Sequence, residues 1–257
     1  MLAGRERNPI LRMIHNWEAR RLHAYEVECL RRFDSVWVTT QSEADRLQAF
    51  DQRKRLRVIL RGIDLEHFSF GLDNAGSRSL IFTGHMSYEP NVDGILYYLR
   101  DIHERVRQLV PESRLQVVGN YPHRRILKAA RGRPEVVVTG PVKDMAAYLR
   151  KAKVFIVPLR IGTGVRIKIL EAMAVGLPVI STSIGCAGIG TVPEEHLLIA
   201  DDPDEFARAV KRLFDDDDLY RRLSRNARKF VEEHYDLRLA AAEMESALRE
   251  IRITKPE

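Results

Sequence analysis

The chain has 257 residues, 45% of them hydrophobic and 30% charged, with a formal net charge of +6. That is enough for one large domain, or one domain and part of another, and the balance excludes a disordered chain. No apolar run nears the ~20 residues that span a bilayer, and the opening MLAGRERNPILRMI lacks the apolar core of a secretory leader. Cys29 and Cys186 lack metal-ligand spacing and read as free thiols of a reducing, cytoplasmic compartment.

The charge is unevenly placed. Residues 1–61 hold 13 Lys/Arg against 8 Asp/Glu, and the rest hold 29 against 28. A basic front end suits nucleic acid or an anionic membrane surface. The plainer alternative is a solvated helix face. Aromatic platforms for bases are not interleaved with the arginines, so nucleic acid is not the expected partner.

In chain order, the spacing of Ile14, Trp17, Leu22, Tyr25 and Leu30 predicts a helix from about Asn8 to Arg32. Ser35–Thr39 reads as a short strand, Ser42 as the cap of a helix through Leu47, and Arg57–Leu60 as a further apolar run. Gly71–Ser79 is polar and linker-like. From Leu80 the rhythm is regular. Leu80–Thr83, Arg114–Val118, Glu135–Thr139, Lys153–Val157, Pro178–Ser181 and Leu197–Ala200 read as strands buried on both faces. Helical patterns at Val92–Leu109, His123–Ala130, Lys143–Arg150 and Val165–Val175 separate most of them. Alternating βα units predict an α/β, Rossmann-like, doubly wound parallel sheet with its ligand at the carboxyl ends of the strands. Beyond Ala200 the chain reads as helical. Asp202-Pro203 opens one helix, the run Asp215–Asp218 is a solvated junction that caps the next, and Arg238–Arg252 is a last amphipathic helix in need of a partner surface.

Three loops on the active edge are candidates. Gly84 and His85 follow the first strand of the sheet; the glycine lets a ligand approach the backbone, and the histidine is either a phosphate donor or a polar loop residue. Thr139, Gly140 and Val142 form a turn that could present backbone groups to a flat base. Gly162, Thr163, Gly164 and Val165 precede a helix whose first N–H groups attract anions. Arg166 and Lys168, read as lying in its first turn, oppose the helix dipole, a conflict that a shared anion would resolve. Glu171 is either the partner of Lys168 on a solvated face or the acceptor of a vicinal diol such as a ribose. These residues together point to a nucleotide-diphosphate site and not to a named reaction.

The segments Phe82–Ile95, Val117–Gly119, Val138–Asp144 and Val157–Ser181 occur in one order, and with His196–Asp216 and Trp17–Leu47 they resemble glycosyltransferase family 4, in the donor-binding half of its GT-B fold. The resemblance implies retaining transfer of a sugar from a nucleoside-diphosphate sugar to a saccharide or lipid-linked acceptor, with no further cofactor and no metal. It implies Arg166 and Lys168 on the departing diphosphate, Glu171 on the ribose and Gly140–Val142 on the base. It also implies a division into residues 1–61, a remnant of an acceptor domain and linker; 62–235, the donor domain; and 236–257, a C-terminal helix. The missing domain or a complementing chain is then a partner, as is peripheral contact with the inner membrane face.

Two departures stand out. The family's first acidic residue of an E-x7-E pattern falls at Thr163, and the Arg and Lys it often carries in the loop His85–Asp93 are replaced here by Arg166 and Lys168 of an R-x-K-x-L-E-A-M stretch. The alternative function is a non-catalytic nucleotide-sugar-binding fragment or subunit. A GT-B epimerase or phosphorylase fits less well, and the absence of GxGxxG disfavours a dinucleotide oxidoreductase.

Overall fold

Six short apolar runs pair, all in parallel, into one sheet: β3 (Ser79–Thr83), β4 (Arg114–Val118), β5 (Val136–Gly140), β6 (Val154–Val157), β7 (Val179–Ser181) and β8 (Leu198–Ile199), in the order β5-β4-β3-β6-β7-β8. They belong to a computed structural model that describes residues 8–50, 56–74, 76–162 and 164–254. Every residue of β3, β6 and β7 is buried, because helices cover both faces of the sheet. Ile81, Phe82, Phe155 and Ile156 at its centre have no exposed surface.

The chain enters this sheet in the middle, at β3, and steps outward to β5. It then returns to lay β6 along the other side of β3. Connections therefore leave β3 and β6 in opposite directions, which opens a crevice at their carboxyl ends. This is the doubly wound α/β fold that the βα alternation predicts.

The helices of this part are α3 (Glu89–Tyr97), α4 (His103–Leu109), α5 (Arg124–Ala130), α6 (Met145–Lys151), α7 (Ile167–Ala174), α8 (Ser183–Cys186), α9 (Pro203–Asp215) and α10 (Asp217–His234). Their starts follow local chemistry. The carboxylates of Asp144, Asp202 and Asp216 accept from the first-turn N–H groups of α6, α9 and α10. The Asp215–Asp218 run is thus a helix junction, with Asp216 as cap and Asp215 paired to Lys211.

The single helix expected over Val92–Leu109 is instead two helices joined by a π turn, Tyr98–Ile102. The wider turn accompanies a packing demand that periodicity does not encode: Tyr98 and His103 are both buried, and His103 Nε2 lies 2.9 Å from Glu135. The stretch expected as a linker, Gly71–Ser79, is tied down, with Gly71 N–H donating to Val175 O and Asp73 N–H to Arg150 O.

The described residues divide into two compact units, Gly62–Leu239 and a smaller one made of the residues up to Arg61 and from Ala240 on. In the smaller unit α1 (Pro9–Arg32) precedes β1 (Val36–Val38), α2 (Gln41–Gln48) and β2 (Leu56–Val58), with β1 and β2 paired in parallel. The cap of α2 is Thr40, not Ser42: its hydroxyl accepts from Glu43 N–H while the Glu43 carboxylate reaches back to Thr39. Thr40 stands three residues before a glutamate, the capping-box spacing, which leaves Ser42 inside the first turn. On α1, Leu30 is buried, whereas Trp17, Leu22 and Tyr25 are exposed. The last helix, α11 (Leu237–Thr254), buries Ala240 and Ala247 and exposes Leu248. Among the described residues no helix is long and apolar enough to cross a membrane.

Candidate functional site

The crevice is built first from backbone. Gly84, just past β3, has φ 151°, and a Cβ there would lie 2.8 Å from Asn91 Nδ2 and 3.0 Å from Lys168 Nζ. Only glycine leaves room for both groups. At the end of β4, a Cβ on Gly119 would meet Gly84 O at 1.8 Å. Gly119 N–H in turn donates to Gly140 O, 3.1 Å away, so the loops after β3, β4 and β5 are stitched side by side. Gly140 itself has φ 72°, and the Thr139 hydroxyl donates to its carbonyl. Thr139, Gly140 and the half-buried Val142 lie at the same edge as Gly84 but two strands away, with β4 between them.

Lys168 rises from the second position of α7. Its ammonium donates to Asn91 Oδ1 at 2.7 Å and sits 3.9 Å from the centre of the Phe82 ring. Asn91, buried in the first turn of α3, turns its amide N–H to His85 O at 2.9 Å. Burial above all, and then Arg166, pushes the lysine down to about 7, against the opposing pull of Glu171.

Arg166 is not in the first turn of α7. It is the cap residue, with non-helical φ −90° and ψ 89°. The loop of Gly162 (φ 111°) and Gly164 (φ 85°) brings the chain in at an angle that the helix cannot continue. The Arg166 Nη1 donates to Gly164 O at 2.8 Å, and its Nη2 lies 2.7 Å from where a Cβ of Gly162 would be. Burial holds this guanidinium below its usual value, with Tyr88 opposing. Val165 is half-buried, Gly164 is exposed, and Thr163 lies outside the described residues.

Lys168 and Glu171 do not form the solvated pair that one helical turn allows, because the ammonium is turned to Asn91. The Glu171 carboxylate makes no hydrogen bond or ion pair among the described residues, although its backbone carbonyl accepts from Val175 N–H. Burial raises its carboxyl, opposed by Lys168 and then His67. His85 is exposed at the mouth, its Nδ1 3.0 Å from Ser87 Oγ and its ring centre 4.9 Å from that of Tyr121.

Two contributors escape a reading of the sequence. Asn91 is one. The other is Arg160, whose guanidinium bridges both carboxylate oxygens of Asp93 at 3.1 and 2.5 Å and stacks 4.5 Å from the Tyr97 ring. It ties the loop after β6 to α3. The local signals were an Asn and an Asp at the start of a helix; their partners lie 77 and 67 residues away. Among the described residues no group of three or more His, Cys, Asp and Glu is arranged to hold a metal ion.

A doubly wound sheet with glycine-lined loops and two cations at its switch point defines a protein that can receive an anionic ligand there. Residues 77–216 match the family model described as "Glycosyl transferases group 1". That is more than half of the chain, and the chain belongs to this family.

A protein of Klebsiella pneumoniae described as an uncharacterized 44.6 kDa protein in the cps region is 29% identical over 165 residues, 62% of this chain and 42% of its own length. The putative glycosyltransferase YtcC of Bacillus subtilis is 34% identical over 84 residues, 32% of this chain and 21% of its own. The matched part therefore spans less than half of either relative. Among solved structures, sucrose-phosphate synthase of Thermosynechococcus elongatus superposes with a TM-score of 0.73 at 23% identity, covering 90% of this chain and 61% of that one. Anabaena HepE in complex with UDP and glucose gives 0.71 at 14%, covering 86% and 64%. At these identities the likeness is one of fold, the GT-B glycosyltransferase fold.

Proposed function

We propose that this chain carries the donor site of a family 4 glycosyltransferase that transfers a sugar, with retention, from a nucleoside-diphosphate sugar to a saccharide or lipid-linked acceptor. The observation that carries the reading is the Lys168 ammonium held beside Gly84 in the β3–β6 crevice, with Arg166 at the cap of the same helix. Two cations at the start of a helix in a half-buried site stabilise the charge that develops on a departing diphosphate. The Glu171 carboxylate, without a side-chain hydrogen bond among the described residues, suits a ribose diol, and His85 a phosphate oxygen. Gly140 and Val142 offer backbone to the base, and Gly162, Gly164 and Val165 line the approach. HepE has been seen with UDP and glucose, which makes UDP-glucose the first donor to try. The acceptor falls to a further domain, here or on another chain, in the division 1–61, 62–235 and 236–257. Contact with a membrane face belongs to the same proposal.

The test is a thermal-shift titration of the full chain with UDP-, GDP- and ADP-sugars. A bound donor raises the midpoint in proportion to the logarithm of its concentration. Arg166→Ala and Lys168→Ala are each expected to weaken binding about tenfold or more, the loss of a hydrogen bond to a charged group. No shift with any nucleotide overturns the donor site. Binding without donor consumption, even with acceptor saccharides present, supports the second reading: a nucleotide-sugar-binding subunit.

A further inference from the structure

We propose that Asn91 is a positioning residue for the donor site: its buried amide fixes the Lys168 ammonium in the β3–β6 crevice and, through the His85 carbonyl, locks that ammonium to the loop after β3. The proposal rests on the donor-site reading.

The geometry is specific. An amide has one acceptor oxygen and one NH2 group, and Asn91 uses each on a different element. Its Oδ1 takes the Lys168 Nζ at 2.7 Å, and its Nδ2 gives to His85 O at 2.9 Å. The residue is 5% exposed, so neither bond can be traded for water at low cost. Gly84 leaves the space in which the two side chains meet. A buried lysine is ordinarily partnered by a carboxylate; this one has a neutral amide and an aromatic face, from Phe82. The neutral partner is the informative feature. It orients the ammonium without forming an ion pair, so the charge of the protonated form is left to meet a diphosphate. The aspartate of the same helix turn, Asp93, is held away by Arg160.

The charged groups that bear on the ammonium are Arg166 and Glu171 of its own helix region; α3 contributes the neutral Asn91, and β3 the Phe82 ring. The position of its titration therefore reads the Asn91 contact. Removing the acceptor oxygen moves it down, and replacing the amide by a carboxylate moves it up.

The experiment uses the full chain as wild type, Asn91→Ala, Asn91→Asp and Lys168→Ala. UDP affinity is measured by calorimetry from pH 6 to 9, and the reactivity of Lys168 toward acetic anhydride is followed by mass spectrometry without ligand. Wild-type affinity is expected to fall as the ammonium deprotonates. Asn91→Ala should weaken UDP binding about tenfold at pH 7.5 and move the break in both profiles to lower pH. Asn91→Asp should move both breaks to higher pH. Lys168→Ala should leave a weak, flat profile.

If wild type binds UDP and Lys168→Ala weakens it, while Asn91→Ala changes neither affinity nor the two breaks, the positioning role is wrong and the donor site stands. Asn91→Ala that only lowers the melting temperature, with both breaks in place, also overturns it, since that is a purely structural role. If wild type binds no nucleoside diphosphate, the donor reading fails, and the ligand-free acetylation profile reports separately on the Asn91–Lys168 contact.

Discussion

The Lys168 ammonium lies 2.7 Å from the Asn91 side-chain oxygen and makes no ion pair with Glu171, one turn along its own helix. The group is thereby held without an ion pair in a site that has removed much of its water. Its titration is displaced to about 7 by that burial, and this links the charge of the crevice to pH.

The first prediction concerns that linkage. The folded-state value lies below the ordinary lysine value of 10.5, so between about pH 7 and 10 the unfolded chain binds more protons. The Lys168 contribution to stability therefore rises with pH across this window and has no slope below it. Lys168→Met should be more stable than wild type at pH 6.5, with the advantage shrinking toward pH 9. Urea titrations at three pH values check this.

Glu171 has the opposite sign. Burial raises its carboxyl above the ordinary 4.5, so its contribution to stability is fully present below the unfolded value and lost as pH rises through the folded one. Glu171→Gln should stabilise the protein at pH 7, lose that advantage near pH 4, and bind UDP more weakly. Stability gained where binding is lost is the signature of a site residue. Denaturation and calorimetry on the one variant test both halves.

Gly119→Ala should be severe. The added methyl would sit 1.8 Å from a backbone oxygen, Gly84 O, at a φ of 146°. We expect a loss of about 3 kcal/mol or more. Gly132→Ala is the control. Its φ of 79° is also positive, but nearer the left-handed region that other residues can adopt, and nothing lies within 4 Å of its Cβ, so about 1 kcal/mol is expected. Chemical denaturation separates the two.

Arg160→Ala removes the bridge to Asp93, a half-exposed pair worth about 1 kcal/mol. Its larger effect should be local. Amides of residues 158–166 should exchange faster with deuterium, and UDP should bind several-fold more weakly, because the loop before Arg166 is no longer tied to α3.

In the smaller unit, Thr40→Ala should destabilise α2 by about 1 kcal/mol and Ser42→Ala by much less, since Thr40 makes the cap bond to Glu43 N–H. Hydrogen exchange over 41–48 reads this directly.

Much of the architecture was legible in local pattern. The six strands appear as β-branched and aromatic runs, and the caps at Asp202 and Asp216 as an aspartate before a helical pattern, whereas the helix expected from Lys143 is capped one residue further on, by Asp144. The Gly-rich run before Arg166 marks a loop entering a helix. Three features were misplaced for identifiable reasons. Ser42 and Thr40 are both good caps, and the choice turned on which one stands three residues before Glu43. Arg166 falls at the cap because its backbone follows the glycine loop instead of the helix. The π turn at Tyr98–Ile102 accompanies the burial of Tyr98 and His103 against neighbours that helical periodicity does not contain.

By itself the sequence determined which segments are strands and helices, where most helices begin, and which cations and carboxylate stand around the start of α7. Each of these depends on interactions within a few residues. Tertiary structure decided the strand order that makes β3 and β6 neighbours and opens the crevice between them. It also decided that Lys168 turns to an asparagine 77 residues away and not to the glutamate three residues on. Those outcomes come from burying both faces of one sheet and from satisfying a buried ammonium, and both are properties of the packed chain.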